Sequence, residues 1–232
     1  MRVTIWNEND RAFDPYPNGI NAAITEFLQK TGEFDVRTAL QTDTDQGLSD
    51  EVLNNTDVLV YWGHIYHHLV EEHNVERLAR RVLGGMGLIL LHSAHASKIM
   101  ARLLGTETGR LRWRDGDREI VWCIEPHHEI AQGVPEYINI PESEMYGEHF
   151  QIPAPDELVF ISWFSGGEVF RSGCTWRRGA GKIFFFSPGH ESNPIYHMPE
   201  IQRVIINALR WAQPTERPPV PTGHQPNPPV HL

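Results

Sequence analysis

The sequence predicts an α/β protein with a doubly wound, mainly parallel sheet in its first half and strand-rich elaborations in its second. Up to about residue 105, short apolar runs alternate with segments whose apolar residues recur at helical spacing, the rhythm of strand–helix–strand units. Beyond that point the apolar runs are strand-like and turn residues separate them. Forty per cent of the 232 residues are hydrophobic, enough for one well-packed domain.

The elements follow in order. Val3, Thr4, Ile5 and Trp6 read as a strand, and Ile20, Ile24, Phe27 and Leu28 as a helix that stops before Gly32. Residues 34–40 form a second strand and 57–62 (DVLVYW) a third, buried one. A helix over 67–83 closes at Gly84-Gly85. Residues 88–91 (LILL) are the fourth strand, and a helix through Ile99, Met100, Leu103 and Leu104 ends at Gly105. Strand-like runs then cover 119–124, 137–140, 158–164, 168–170 and 182–187, with hairpin turns at Gly166-Gly167 and 178–181. A last helix over 199–211 turns Ile201, Val204, Ile205 and Leu209 inward. Seven of the 19 residues from Pro214 to Leu232 are proline, so 213–232 is expected to be an extended arm outside a single 1–212 domain, available to a neighbouring subunit of a homo-oligomer.

Thirty acidic against twenty basic residues give a net charge of −10, which repels a phosphate backbone and argues against nucleic acid as a partner. No apolar run reaches the roughly 18 residues of a membrane span, and Met1-Arg2 leads directly into the first strand with no secretory signal, so a cytoplasmic protein is expected. Cys123 and Cys174 make neither a metal knuckle nor a disulfide framework and read as buried thiols. Thirteen histidines shift the expected chemistry to imidazole.

Ligands of open parallel sheets bind beyond the carboxyl ends of the strands. Three predicted strands end in histidine: DVLVYW runs into Gly63-His64, LILL into His92-Ser93-Ala94-His95, and KIFFFS into Pro188-Gly189-His190-Glu191. His64, His92 and His190, with Glu148 as a fourth ligand or general base, form the candidate metal set, and zinc suits imidazole ligands. The alternative for each histidine is a strand-end cap bonded to backbone or carboxylate; no HExxH or CxxC spacing is present. Ser93 beside His92 or His95 imitates a nucleophile and base, and equally an ordinary helix cap. Trp62, Trp113, Trp163 and Trp176 lie near loops carrying Arg112, Arg114, Arg171, Glu144 or Glu168, the mix of aromatic platform and planar polar groups that sugars favour; each tryptophan alone also fits a core.

Six segments together resemble the trehalose-utilisation (ThuA-like) family: Trp62-Gly63-His64, 87–93 (GLILLHS), His128-Glu129-Ile130 with Gly133, Glu144-Met145-Tyr146-Gly147-Glu148, 167–173 (GEVFRSG) and 178–191 (RGAGKIFFFSPGHE). The resemblance runs from about Met1 to Ala212. It implies a flavodoxin-like sheet of the class I glutamine amidotransferase type and a role in sugar or disaccharide metabolism, often beside oxidoreductases that make keto-sugars. The amidotransferases use a Cys at the strand-to-helix elbow with a downstream His and Glu. This elbow reads Leu91-His92-Ser93-Ala94, so Cys-dependent amidotransferase chemistry is not expected, while His190-Glu191 matches the downstream pair in location.

The leading expectation is an enzyme acting on a (keto-)sugar or disaccharide derivative by acid–base chemistry, with or without a divalent metal and with no nucleotide cofactor. His92, Ser93, Glu148 and His190 are the catalytic candidates, and Trp62, Glu144, Tyr146 and Arg171 the substrate-binding ones. A non-catalytic sugar-binding or scaffolding protein is the alternative, and a Ser93 hydrolase the third reading.

Overall fold

The computed structural model describes residues 1–215 together with 223, 224 and 226. Its strands are β1 (Arg2–Asn7), β2 (Asp35–Leu40), β3 (Val58–Trp62), β4 (Gly87–Leu91), β5 (Arg112–Cys123), β6 (Tyr137–Gly147), β7 (Glu157–Phe164), β8 (Val169–Arg178) and β9 (Gly181–Phe186). They form one sheet in the order β2-β1-β3-β4-β9-β8-β7-β5-β6. The first five strands in that order are parallel and pair in register, for example Ile5 with Val60 and Leu91 with Phe186. From β9 outward every pairing is antiparallel. The predicted doubly wound, flavodoxin-like sheet with strand-rich elaborations is therefore the observed fold.

Alternation along the parallel strands supplies both faces. Val58, Val60 and Trp62 of β3 enter one core with α1 (Gly19–Lys30) and α5 (Pro199–Ala212), while Leu59 and Tyr61 enter the other with α3 (Glu72–Leu83) and α4 (Lys98–Leu104). A short α2 (Asp50–Asn54) adds Leu53 to the second core. In α3, Val75, Leu78, Ala79 and Val82 form the buried stripe, with Glu72 in the first turn and Arg80 and Arg81 in the last, the polarity its dipole favours. Helix α4 is bounded by its caps: the Ser97 hydroxyl accepts the Met100 N–H at 3.2 Å, and Gly105 closes it in the left-handed conformation.

Two expectations are corrected. The helix expected from residue 67 begins at Glu72, because His67–Leu69 is an isolated 3-10 turn followed by extended Val70. Strands β5, β6 and β8 are longer than their apolar runs, since ladder pairing carries them through polar stretches such as Arg112–Asp117 that show no alternation. Between Arg114 and Asp117 the β5–β6 register shifts, with Gly116 at φ +70°. Apart from Gln213, Pro214, Thr215 and the three isolated residues, the predicted arm lies outside the described residues. Among the described residues no helix is long and apolar enough to cross a membrane.

Candidate functional site

The chain crosses from β1 to β2 on one side and then from β2 back past β1 to β3 on the other, so the sheet has its switch point beside β1. At the carboxyl ends of the parallel strands there, β1 delivers Glu8, β3 delivers His64, β4 delivers His92 and β9 delivers His190 and Glu191. One candidate ligand atom from each of His64, His92, His190 and Glu191 lies within 4.8 Å of all the others. The three imidazole centroids are 5.0 to 5.5 Å apart. The structure thus brings together the three predicted strand-end histidines.

Local backbone requirements explain the geometry. His92 sits at the elbow after β4 with φ +52°, a left-handed conformation that non-glycine residues seldom adopt outside functional sites. Gly189 has φ +146°, and a Cβ there would meet the Tyr196 hydroxyl at 2.0 Å, so only glycine lets the chain pass beneath His190. Glu8, buried at the end of β1, accepts the backbone N–H groups of Ile65 (3.1 Å) and Tyr66 (2.9 Å) and thereby fixes the loop that carries His64.

Each ring is oriented by its other nitrogen. His64 Nδ1 is 2.7 Å from Glu191 Oε1. His92 Nδ1 faces the Ser187 carbonyl at 3.2 Å, so a proton there leaves Nε2 unprotonated on the side of Tyr146 and Glu144. The His92 ring stacks between Trp62 and Tyr146, at 6.3 and 5.4 Å between centroids. The Ser192 N–H donates to His190 Nδ1 at 3.1 Å, and the Ser192 hydroxyl lies 2.7 Å from the same nitrogen.

Charge is concentrated on the same spot. Burial pulls the His64 imidazole down, but the bond and charge of Glu191, with Glu144 and Glu8 behind them, hold it above its ordinary value. Burial and the neighbouring His92 lower His190. Burial pushes the Glu191 carboxyl up, and His64 outweighs this to bring it down to about 2. Burial likewise pushes the Glu144 carboxyl up, and His92 outweighs this to hold it below its ordinary value. Behind the floor, burial lowers His67 to about 4 and His95 to about 3, so both are neutral there.

Two buried carboxylate oxygens, Glu191 Oε2 on this floor and Glu144 Oε2 facing it from β6, have no hydrogen-bond partner among the described residues. Glu144 Oε2 is 3.2 Å from His92 Nε2 without the alignment of a hydrogen bond. Unpaired buried oxygens are costly, and imidazole nitrogens beside carboxylate oxygens are the donor set that zinc takes. The residues fit a divalent cation.

Above the floor opens a cavity of about 790 Å³. Its opposite wall comes from β5 and β6: Trp113, Asp115, Glu142, Glu144 and Tyr146. None of the described residues that line it is Lys or Arg. Trp113 is 63% exposed, an aromatic face open to a ligand. The Tyr146 hydroxyl lies 2.5 Å from Ser93 Oγ and 3.4 Å from His92 Nε2, so Ser93 is joined to the imidazole through a phenol rather than directly.

Several predicted residues fall elsewhere. Glu148 is not at the histidine floor: past the end of β6 its carboxylate receives Arg171 Nε at 2.8 Å, Arg171 Nη2 at 3.0 Å and the Phe150 N–H at 2.7 Å. Its lone pairs are thus committed to a structural pair, and Arg171 is held with it, away from the cavity lining. Trp62 is fully buried beneath His92, its indole N–H donating to the Gly189 carbonyl at 3.2 Å, and offers no platform. Glu191, Glu8, Asp115 and Glu142 were not among the predicted site residues. Adjacency to His190 marks Glu191, and position directly after β1 marks Glu8; nothing in the sequence marks Asp115.

The family model described as trehalose utilisation, ThuA, matches residues 2–212. Among solved structures, a ThuA-like protein from Parabacteroides merdae superposes with a TM-score of 0.69 at 16% identity, covering 94% of this chain and 92% of its own. A cytoplasmic protein from Salmonella typhimurium gives 0.61 at 14% identity, covering 93% and 100%. PurLQS from Thermotoga maritima gives 0.55 at 11% identity, covering 90% and 98%, an amidotransferase-type fold. No curated protein matches the chain. A family model spanning nearly every residue of the folded sheet, and structural neighbours of the same architecture, place the chain in the ThuA family of trehalose utilisation.

Proposed function

We propose that this protein is a sugar-metabolism enzyme acting on a keto-sugar or disaccharide derivative by histidine–glutamate acid–base chemistry, with a zinc ion held by His64, His92, His190 and Glu191. The observation that carries this reading is the convergence of ligand atoms from those four side chains within 4.8 Å beside an open cavity that His64 and His190 line. The unpartnered oxygens of Glu144 and Glu191 support it.

When bound, zinc supplies Lewis acidity that polarises a carbonyl or hydroxyl oxygen. The protein's own residues do the rest. Glu144, in the role the sequence suggested for Glu148, is the carboxylate that takes a proton from the substrate and returns it. Tyr146, bonded to Ser93 and beside His92 Nε2, presents a hydroxyl to the same space. Trp113 gives a sugar ring an apolar face, and Asp115 and Glu142 accept its hydroxyls. A cavity without Lys or Arg and with three carboxylates suits an uncharged sugar rather than a phosphate ester.

The test is metal analysis of untagged protein together with turnover on a panel of keto-disaccharides. Wild type should retain zinc and turn over at least one of them. His92→Ala should lose the metal, and Glu144→Gln should keep it while turnover falls by a factor on the order of 100. Absence of bound zinc together with a melting temperature indifferent to added zinc removes the metal; ligand binding without turnover of any sugar favours a binding module instead.

A further inference from the structure

We propose a second cation position at the cavity mouth, held by Asp115, Glu144 and His190 and adjoining the histidine floor; it rests on the metal reading above. Candidate ligand atoms of these three residues lie within 4.8 Å of one another. Glu144 is only 9% exposed and lines the cavity, and its Oε2 has no hydrogen-bond partner. A buried oxygen left unpaired in a cavity wall is the position a cation stabilises.

The backbone supplies the third group. Where the β5–β6 register slips between Arg114 and Asp117, Gly116 is left-handed, and the irregularity turns Asp115 into the cavity lining. The neighbouring cation is engaged elsewhere: Arg114 makes two bonds to Glu168, of 2.6 and 2.9 Å, and another to Asp117. Asp115 is therefore left without the guanidinium beside it in sequence.

The two positions differ in chemistry. The floor offers three imidazoles and one carboxylate, whereas the mouth offers two carboxylates and one imidazole, which favours a harder ion such as Mn²⁺ or Mg²⁺. His190 belongs to both sets. When it serves the mouth, the floor keeps His64, His92 and Glu191, a three-ligand set with a position open to substrate. The sets share His190, and Glu144 Oε2 of the mouth lies 3.2 Å from His92 Nε2 of the floor, so the two positions adjoin. Such a pair suits a substrate with oxygens on adjacent carbons, a hydroxy-ketone.

The experiment titrates metal-free, untagged protein with zinc chloride and then manganese chloride by calorimetry, and counts bound ions by elemental analysis after gel filtration. Wild type should hold two ions per chain. Asp115→Asn, at an exposed position whose change leaves the fold intact by circular dichroism, should hold one, with zinc affinity unchanged and manganese affinity lowered at least about tenfold. One ion per wild-type chain, or two in Asp115→Asn, overturns the mouth site and leaves the zinc floor standing. No ion in the wild type overturns both.

Discussion

His64 Nδ1 and Glu191 Oε1, 127 positions apart in the chain, lie 2.7 Å from each other and tie the end of β3 to the loop after β9. A carboxylate on the far nitrogen fixes the tautomer of a ligating histidine and raises its basicity. Glu191→Gln keeps the shape of the loop but loses the charge. Zinc affinity, read by competition with a chromogenic chelator, should drop roughly 10- to 100-fold; an unchanged affinity would show that this contact does not serve a metal.

Glu148→Gln is the converse case. Its carboxylate is bound by Arg171 and by the Phe150 N–H, outside the cavity lining. The variant should bind zinc as wild type does and lose about 1 kcal/mol or more of stability in urea unfolding, the scale of a charge-assisted hydrogen bond. A loss of metal at wild-type stability would return Glu148 to the site.

Trp113 is exposed on the cavity wall, so its removal should barely move the melting temperature. Loss of one ring–sugar contact should raise KM about tenfold for a true substrate with kcat within about twofold, because stacking of this kind is worth on the order of 1 kcal/mol.

Glu119 predicts a pH dependence away from the cavity. Wholly buried, it is held by the Ser143 and Ser162 hydroxyls, and burial outweighs them to push its carboxyl up to about 7 from 4.5. The unfolded chain ionises this group above about pH 4.5 and the folded chain does not until about 7. Its stabilising contribution is therefore complete below 4.5 and lost as pH rises to 7, on the order of 3 kcal/mol in all. In urea unfolding at pH 4.5 and 7, Glu119→Gln should gain stability relative to wild type at the higher pH; parallel profiles for the two proteins would refute the assignment.

Gly189→Ala should cost more than about 3 kcal/mol, since the added methyl carbon meets the buried Tyr196 hydroxyl at 2.0 Å and the backbone is at φ +146°. Thermal unfolding checks it. A stability within about 1 kcal/mol of wild type would mean that the turn under His190 is adaptable.

Much of this architecture was legible because buried parallel strands are short continuous apolar runs: DVLVYW and LILL announce β3 and β4, and the histidines that follow each strand mark the rim. The antiparallel wall was less so. Glu142, Glu144 and Tyr146 share one face of β6 by strand alternation and all line the cavity, but Glu148 lies beyond Gly147, where the strand has ended. Parity alone would include it; only the end of the ladder excludes it. Asp115 was illegible because its orientation depends on a register slip, which no periodicity encodes. Trp62 and Trp113 were interchangeable as sequence and opposite as structure, one sealed under His92 and one open to solvent.

The histidine floor is seated on parallel strand ends, whereas the wall that faces it hangs from the β5–β6 hairpin. The two halves of the pocket come from separate parts of the sheet and meet where Tyr146 and Glu144 face Ser93 and His92. A hairpin transplanted from a relative would leave the imidazole cluster untouched but would exchange Trp113, Glu144 and Tyr146 together, so the ring-facing surface and the carboxylate opposite the histidines would change as one piece.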